Sequence, residues 1–366
     1  SEMCIRDRYT PIHAGEAQAQ SKPNVLIIYT DDMGAGDVSF LNNGWVKTPN
    51  IDKLASGGLI VTNYYSSSPV SSPSRVGLTT GRFPTEMGIN CYLQTRKGNA
   101  ACEQFDYLDA SVPTMAKVMK SAGYTTGHFG KWHMGGGRDV IDAPQITEYG
   151  FDEYISTWES PNPDPVITDS AWIWSRTDQV KRWDRTAYFV DKTLDFLKRH
   201  KGEPCFVNLW PDDMHTPWIP SQKTMDSERT SWTTPPNFKE VLTEYDKQIG
   251  RLMEGLTKLG LEKNTIVIFT SDNGPAPSFQ QMRTNSLLGV KCSLYEGGIR
   301  MPFAIHWPEK IKAGGINDSS IVCAVDLLPS LCALTGAKLP LDMELSGEDM
   351  SRALSVSYTH LTLPTI

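Results

Sequence analysis

Apolar and polar positions along the chain alternate between short runs that are apolar on both sides and longer stretches with apolar residues at helical spacing. Asn24–Tyr29 carries a continuous apolar run of strand length that breaks at Thr30-Asp31-Asp32. Thr48-Pro49 then offers a helix cap and a first-turn proline for 50–56, and Gly57-Gly58 stops that helix. Val112–Ser121 has helical spacing, and Thr125–Phe129 is the next predicted strand, ending in Gly130-Lys131-Trp132-His133. The order repeats with a helix over Arg185–Lys198 and a strand over Cys205–Leu209 that leads into Asp212-Asp213-Met214-His215. A helix of about Phe238–Leu259 precedes the strand Thr265–Phe269 and its terminal Ser271-Asp272-Asn273-Gly274. Met301–Trp307 and Ile321–Cys323 predict further strands, and Leu327–Leu334 a helix. Segments 135–143 and 160–177, rich in turn residues or aromatics, read as excursions around a site.

Helices alternating with strands buried on both faces predict an α/β fold, with a large, mostly parallel sheet flanked by helices. The polar clusters recur just past the strands, at the end where open α/β sheets bind ligands. A chain of 366 residues, 39% apolar, suffices for one large core or two unequal domains. Its 35 basic and 42 acidic side chains leave a net charge of −7 without a sustained basic patch, which argues against a nucleic-acid partner. No apolar run approaches the roughly 20 residues of a transmembrane segment, and no signal-peptide layout opens the chain. The cysteines form no CxxC pair, so zinc or iron–sulfur binding is not expected. Cys91 and Cys102 are compatible with a short surface disulfide or with reduced thiols.

Asp31-Asp32 and Asp272-Asn273 form an oxygen-rich set of hard ligands, suited to calcium or, less well, to strictly octahedral magnesium. Either pair alone also reads as a turn or a helix cap. Arg75, Arg82, Lys131, His133, His215, Lys291 and Arg300 are the positive candidates for an anionic ester. Lysine or arginine could fix its oxygens, a cation could polarise one, and a histidine could protonate the leaving alcohol. Individually each of these side chains also fits a solvated or structural role.

Ser71-Ser72-Pro73-Ser74-Arg75 followed by Thr80-Gly81-Arg82 resembles the signature of the type I sulfatase family, in its serine form. Asp31-Asp32, Gly130-Lys131-Trp132-His133, His215-Thr216-Pro217, Ser271-Asp272-Asn273-Gly274 and Lys291 with Glu296-Gly297-Gly298-Ile299-Arg300 follow in the family's order. The spacing is closer to its arylsulfatase A and N-acetylgalactosamine-6-sulfatase branch than to a phosphatase. The resemblance implies an alkaline-phosphatase-like fold and hydrolysis of sulfate monoesters, on a sulfated saccharide or an aryl sulfate. It implies calcium held by Asp31, Asp32, Asp272, Asn273 and residue 71, with Ser71 oxidised to formylglycine by a maturase, of radical type for serine. One oxygen of the hydrated aldehyde would attack sulfur, and the other would later release sulfate. By the same carry-over Arg75 stabilises residue 71, His133 deprotonates it, and Lys131 and Lys291 grip the sulfate. His215 protonates the leaving group, Arg82 supports the nucleophile segment from behind, and Arg300 is structural. Export to the periplasm or outside is implied as well.

Two other readings remain: a phosphoester hydrolase of the same superfamily, disfavoured by the missing Asp-His metal pair, and an inactive sulfated-glycan-binding protein if Ser71 is never oxidised. Residues 1–8 and 356–366 resemble translated sequencing-adapter DNA, leaving 22–340 as the expected catalytic domain and 341–355 as the start of a truncated C-terminal region. Trp132, Trp158, Trp172, Trp174, Trp183, Trp210, Trp218 and Trp232 lie in or between the motifs, where they fit either ordinary packing or faces for a sugar ring.

Overall fold

The computed structural model describes residues 22–42, 44–169 and 173–356; positions 1–8 and 357–366, read above as non-native ends, fall outside the described residues, as does Trp172. Among the described residues eleven short strands form two sheets: β1 Asn24–Thr30, β2 Leu59–Val61, β3 Tyr64–Tyr65, β4 Thr125–Gly130, β5 Glu153–Ser156, β6 Cys205–Trp210, β7 Thr265–Ser271, β8 Arg300–Met301, β9 Ala304–His306, β10 Gly315–Asn317 and β11 Val322–Cys323. Eight of them make the main sheet in the order β10-β2-β9-β7-β1-β6-β4-β5. Only β9 runs against its neighbours, pairing antiparallel with β7 and β2. The architecture is the large mixed, mostly parallel sheet flanked by helices that the sequence predicts.

Strand β1 explains why both faces must be covered. Val25, Ile27 and Tyr29 point into one core, while Leu26 and Ile28 point into the other. Alternation by two therefore sends every side chain of the run into a buried layer. Helices Ser71–Thr80, Met115–Ser121 and Leu327–Thr335 cover the first face, and Pro49–Ser56, Arg185–Arg199 and Pro235–Leu259 cover the second. Residues 341–355 lie against the first core, where Ala353 and Leu354 are buried and Asn317 Nδ2 donates to the Ala353 carbonyl at 2.9 Å.

Several element boundaries shift for local reasons. The helix expected from Val112 starts at Met115, because Pro113 holds the chain extended and Thr114 caps it, accepting from the Lys117 N–H. The run Met301–Trp307 divides at Pro302, so β8 joins the small sheet and β9 the main one. Thr48 makes no side-chain cap of its own; it is tied instead to Ser39 and Asp52. Among the described residues no helix is long and apolar enough to cross a membrane.

Gly130 closes β4 with φ of 132°, and a Cβ there would lie 2.0 Å from the Trp210 carbonyl oxygen on β6. Gly130→Ala is expected to cost about 3 kcal/mol or more, since backbone faces backbone and no side chain can yield. Chemical denaturation measures it, and an unchanged midpoint would contradict the close approach.

Candidate active site

β1 and β7 are paired in register from Asn24↔Thr265 to Thr30↔Ser271, so their C-terminal ends stop level. Asp31 and Asp32 leave one strand where Asp272 and Asn273 leave the other. Asp32 turns the chain in the left-handed region, at φ 59°, and Asp272 Oδ1 accepts its backbone N–H at 3.0 Å. One oxygen from each of Asp31, Asp32 and Asp272 lies within 4.8 Å of the others, all buried.

Ser71 opens the helix Ser71–Thr80 against this group. Its Oγ donates to Asp31 Oδ1 at 3.0 Å and to Asn273 Oδ1 at 3.3 Å, and Lys131 Nζ reaches it at 3.4 Å. One turn further, Arg75 sends Nη2 to Asp272 Oδ2 at 2.8 Å and to Asp31 Oδ1 at 3.2 Å. Its guanidinium carbon lies 5.5 Å from the Tyr29 ring centre and 5.2 Å from that of Trp210. Lys131, just past β4, holds both oxygens of Asp31 at 3.0 and 2.9 Å. Lys291 arrives from the far loop and meets Asp32 Oδ2 at 2.8 Å.

These charges set the ionisation of the cluster. Burial alone would raise the Asp31 carboxyl, but Lys131, His215, Arg75 and Lys291 outweigh it and hold it well below the usual carboxylate range. Asp32 is lowered against the same burial, chiefly by Lys291 and His215. Asp272 is pushed up to about 6 by burial, with Arg75 opposing and Asp31 and Asp32 adding to the rise.

The two histidines differ. His215 Nδ1 lies 2.6 Å from the Thr216 carbonyl oxygen, while Nε2 sits 3.7 Å from Asp32 Oδ2. Burial and Lys291 lower its pKa. His133 also takes a left-handed backbone, at φ 53°. Its Nε2 lies 3.0 Å from the Leu93 carbonyl oxygen and its Nδ1 3.3 Å from Glu159 Oε2, the latter without hydrogen-bond alignment. Burial brings it down to about 4, against the pull of Glu159. Neither imidazole hydrogen-bonds Ser71, and Lys131 Nζ is the basic atom beside it.

Asp31, Asp32, Ser71, Arg75, Lys131, His215, Lys291, Asp272 and Asn273 thus converge, with His133 at their edge. Arg82 does not join them. It lies beyond the end of the ten-residue helix from Ser71, roughly 15 Å along that axis, and pairs with Glu86 at 2.9 Å and Glu344 at 3.4 Å near the surface. Arg300 binds Glu296, Asn63 and the Thr62 carbonyl oxygen, a framework role. Cys91 and Cys102 are free thiols in mutual contact, and burial followed by the nearness of Cys102 raises the Cys91 pKa.

Supporting residues not anticipated from the sequence stand behind these groups. Arg182 donates to the carbonyl oxygens of Asp212 at 2.7 Å and His215 at 3.1 Å, and with Arg185 it neutralises Asp212. Arg283 donates to the Asp32 carbonyl oxygen at 2.8 Å while paired with buried Asp37. Asp212 was visible as a polar residue after a strand and Arg185 as the start of a predicted helix, whereas Arg182 and Arg283 lie in segments without a periodic signal.

The donors fit a hard divalent cation. Asp31, Asp32 and Asp272 carry three negative charges, matched by Arg75, Lys131 and Lys291. A divalent ion among the carboxylates would leave two positive charges to receive a sulfate oxyanion.

Residues 23–337 match the sulfatase family, and the chain belongs to it. Its sequence is similar to N-acetylgalactosamine-6-O-sulfatase of Bacteroides thetaiotaomicron, at 29% identity over 95% of this chain and 80% of that protein. Arylsulfatase A of Bos taurus is 31% identical, over 92% of this chain and 68% of that protein. N-acetylgalactosamine-6-sulfatase of Homo sapiens is 30% identical over 91% of this chain, which spans 66% of the human protein's length. The solved structure of Ps i-CgsB in complex with k-i-k-neocarrahexaose superposes with a TM-score of 0.75, at 28% identity, over 91% of this chain and 76% of that one. The phosphonate monoester hydrolase of Agrobacterium radiobacter shares the fold, with a TM-score of 0.66 at 20% identity over 91% of this chain and 77% of that one. The chain is a sulfuric ester hydrolase.

Asp213 gives a test of the scaffold behind His215. Its pKa is pushed up to about 6 by burial, with Arg182 opposing and Asp212 adding. A carboxyl raised above its unfolded value of 3.8 withdraws stability as pH climbs from about 4 to about 6. Asp213→Asn removes that loss, so the variant should gain roughly 1–3 kcal/mol on the parent across this window. Urea titrations at the two ends measure the difference, and a constant gap would refute it.

Proposed function

We propose that the chain hydrolyses the sulfate ester of a saccharide, using residue 71 after oxidation of its serine to formylglycine in a calcium-holding site. The observation that carries this reading is the position of Ser71 Oγ, buried between Asp31, Asn273 and Lys131, with Arg75 one turn behind. The names of its bacterial and mammalian relatives support a sulfated sugar as substrate.

Asp31, Asp32, Asp272 and Asn273, with residue 71, would hold calcium, which supplies a positive charge that polarises a sulfate oxygen. Formylglycine, once hydrated, would supply two hydroxyls on one carbon, the feature a plain serine lacks. Arg75 and Lys131 keep the oxygen of residue 71 in a positive field and orient it over the carboxylates. Lys291, together with Lys131, receives the non-bridging sulfate oxygens. His215 presents Nε2 to the chamber and is assigned the proton that goes to the departing alcohol. The resemblance assigns His133 to help deprotonate the hydrated residue, and for this its ring would have to turn from the Leu93 carbonyl oxygen and Glu159, which hold its two nitrogens here. Arg82 has no part, since it pairs with Glu86 and Glu344 away from the chamber. A radical-type maturase is the partner this serine requires, and a periplasmic or secreted location accords with the bacterial sulfatase relatives.

Protein taken from its native host should lack two hydrogens at residue 71 by peptide mass analysis and should hydrolyse 4-nitrophenyl sulfate. A calcium-selective chelator should abolish turnover and calcium should restore it, with no zinc requirement. Active protein with an intact Ser71, or activity indifferent to chelation, sinks the mechanism. His215→Ala should lower kcat about 100-fold or more on an alkyl (sugar) sulfate and far less on 4-nitrophenyl sulfate, whose leaving group departs unprotonated. Equal losses on both would remove His215 from the proton-donor role.

A further inference from the structure

Beside the chamber lies a second cleft, built by the excursions on either side of His215. Trp174, Ile219, Met225 and Trp232 form a small apolar cluster of their own, apart from the two cores on the sheet. Its open side is a cleft of about 370 Å³ lined by Trp174, Ser175, Arg176, Arg229 and Trp232. The two tryptophans meet edge to face, with centroids 5.2 Å apart at 69°. The Trp232 indole N–H donates to the Thr224 carbonyl oxygen at 2.9 Å, which fixes that ring.

Two guanidiniums share the Trp232 ring: the central carbon of Arg176 is 5.9 Å from its centre and that of Arg229 is 5.8 Å away. Arg176 meets exposed Asp226 at 3.6 Å, whereas no carboxylate lies within ion-pair reach of Arg229 among the described residues. Loop anchoring would need the tryptophans alone. Two guanidiniums at one indole, with a single exposed carboxylate to balance them, leave positive charge at the rim of the cleft, where an anion would use their planar donor forks. The cleft also adjoins the catalytic chamber. Ile173, next in sequence to Trp174, lines the chamber with Asp31, Lys131 and His215, and Arg185 holds its carbonyl at 2.9 Å. Two peptide units, roughly 8 Å at most, connect that wall to Ser175.

We propose that this cleft binds a second sulfated sugar, joined to the one whose ester lies over Ser71, so that the preferred substrate is a sulfated oligosaccharide with at least two anionic residues. The inference rests on the reading of the chamber as a site for a sugar sulfate. Arg176 and Arg229 grip the second sulfate, and the tryptophans form an apolar floor beneath the ring.

The test is calorimetric titration of the 366-residue chain carrying Ser71→Ala, so that nothing is turned over. The probes are tetrasaccharides of chondroitin sulfate, carrageenan and heparin, each alongside its desulfated counterpart. At least one sulfated tetrasaccharide should bind, its desulfated form should not, and Arg176→Gln with Arg229→Gln should weaken binding about tenfold or more. Lys258→Gln with Lys263→Gln removes the same charge beyond the opposite end of the sheet and should leave that affinity unchanged; melting curves check that both double variants are folded. The proposal is overturned if no tetrasaccharide binds, if the arginine variant binds as tightly as its parent, or if both double variants weaken binding equally. Hydrolysis of 4-nitrophenyl sulfate by protein from the native host, with residue 71 in its oxidised form, reports separately on the chamber. Arginine-dependent binding without sulfate-ester hydrolysis by matured protein would keep the cleft and sink the catalytic reading.

Discussion

The guanidinium of Arg75 is the contact on which the centre depends. It is fully buried, bridges the carboxylates that end β1 and β7, and is carried by the helix that begins with Ser71. Losing it would strand Asp31 and Asp272 with less compensation in a dry interior, a change that typically costs 3–5 kcal/mol. The same side chain fixes the height of the helix above the sheet, and with it the place of Ser71. Tyr29 and Trp210 hold the guanidinium by their rings, so the strands contribute packing as well as charge.

Around this bridge, buried acids are each given a cation. Asp31 has Lys131, Asp32 has Lys291, Asp37 has Arg283, and Asp212 has Arg182 and Arg185. The inner pairs surround Ser71, and the outer ones brace the loops that carry the inner ones. Such pairs add little net stability compared with apolar packing. Their value is positional: they hold several backbone turns to one geometry at the level where the strands stop. Stability comes instead from the two apolar layers on either side of the sheet.

Much of this was legible in the residues. The runs that became β1, β6 and β7 are apolar enough to require burial on both faces, and the polar clusters at their ends could only sit along one edge. Short strands such as β2, β5 and β10 were not legible, because three or four residues carry no period. The placement of Arg82 also escaped sequence reasoning: nearness to the nucleophile along the chain hid a whole helix of separation. His133 was recognisable by its motif, but its left-handed backbone turns the ring toward Leu93 and Glu159, a direction that no linear pattern encodes. Arg176 and Arg229 gained meaning only when folding brought both to Trp232.

The burial of Ser71 sets a clock. Ser71 is 2% exposed once its partners are in place, too little for another protein's active site to reach it. Yet Asn273, one of those partners, lies 202 residues further along the chain. At synthesis rates of 5–20 residues per second, roughly 10–40 s pass between the making of the serine and of the strand end that encloses it. An enzyme that carried out the oxidation proposed for Ser71 would have to reach it before β7 pairs with β1.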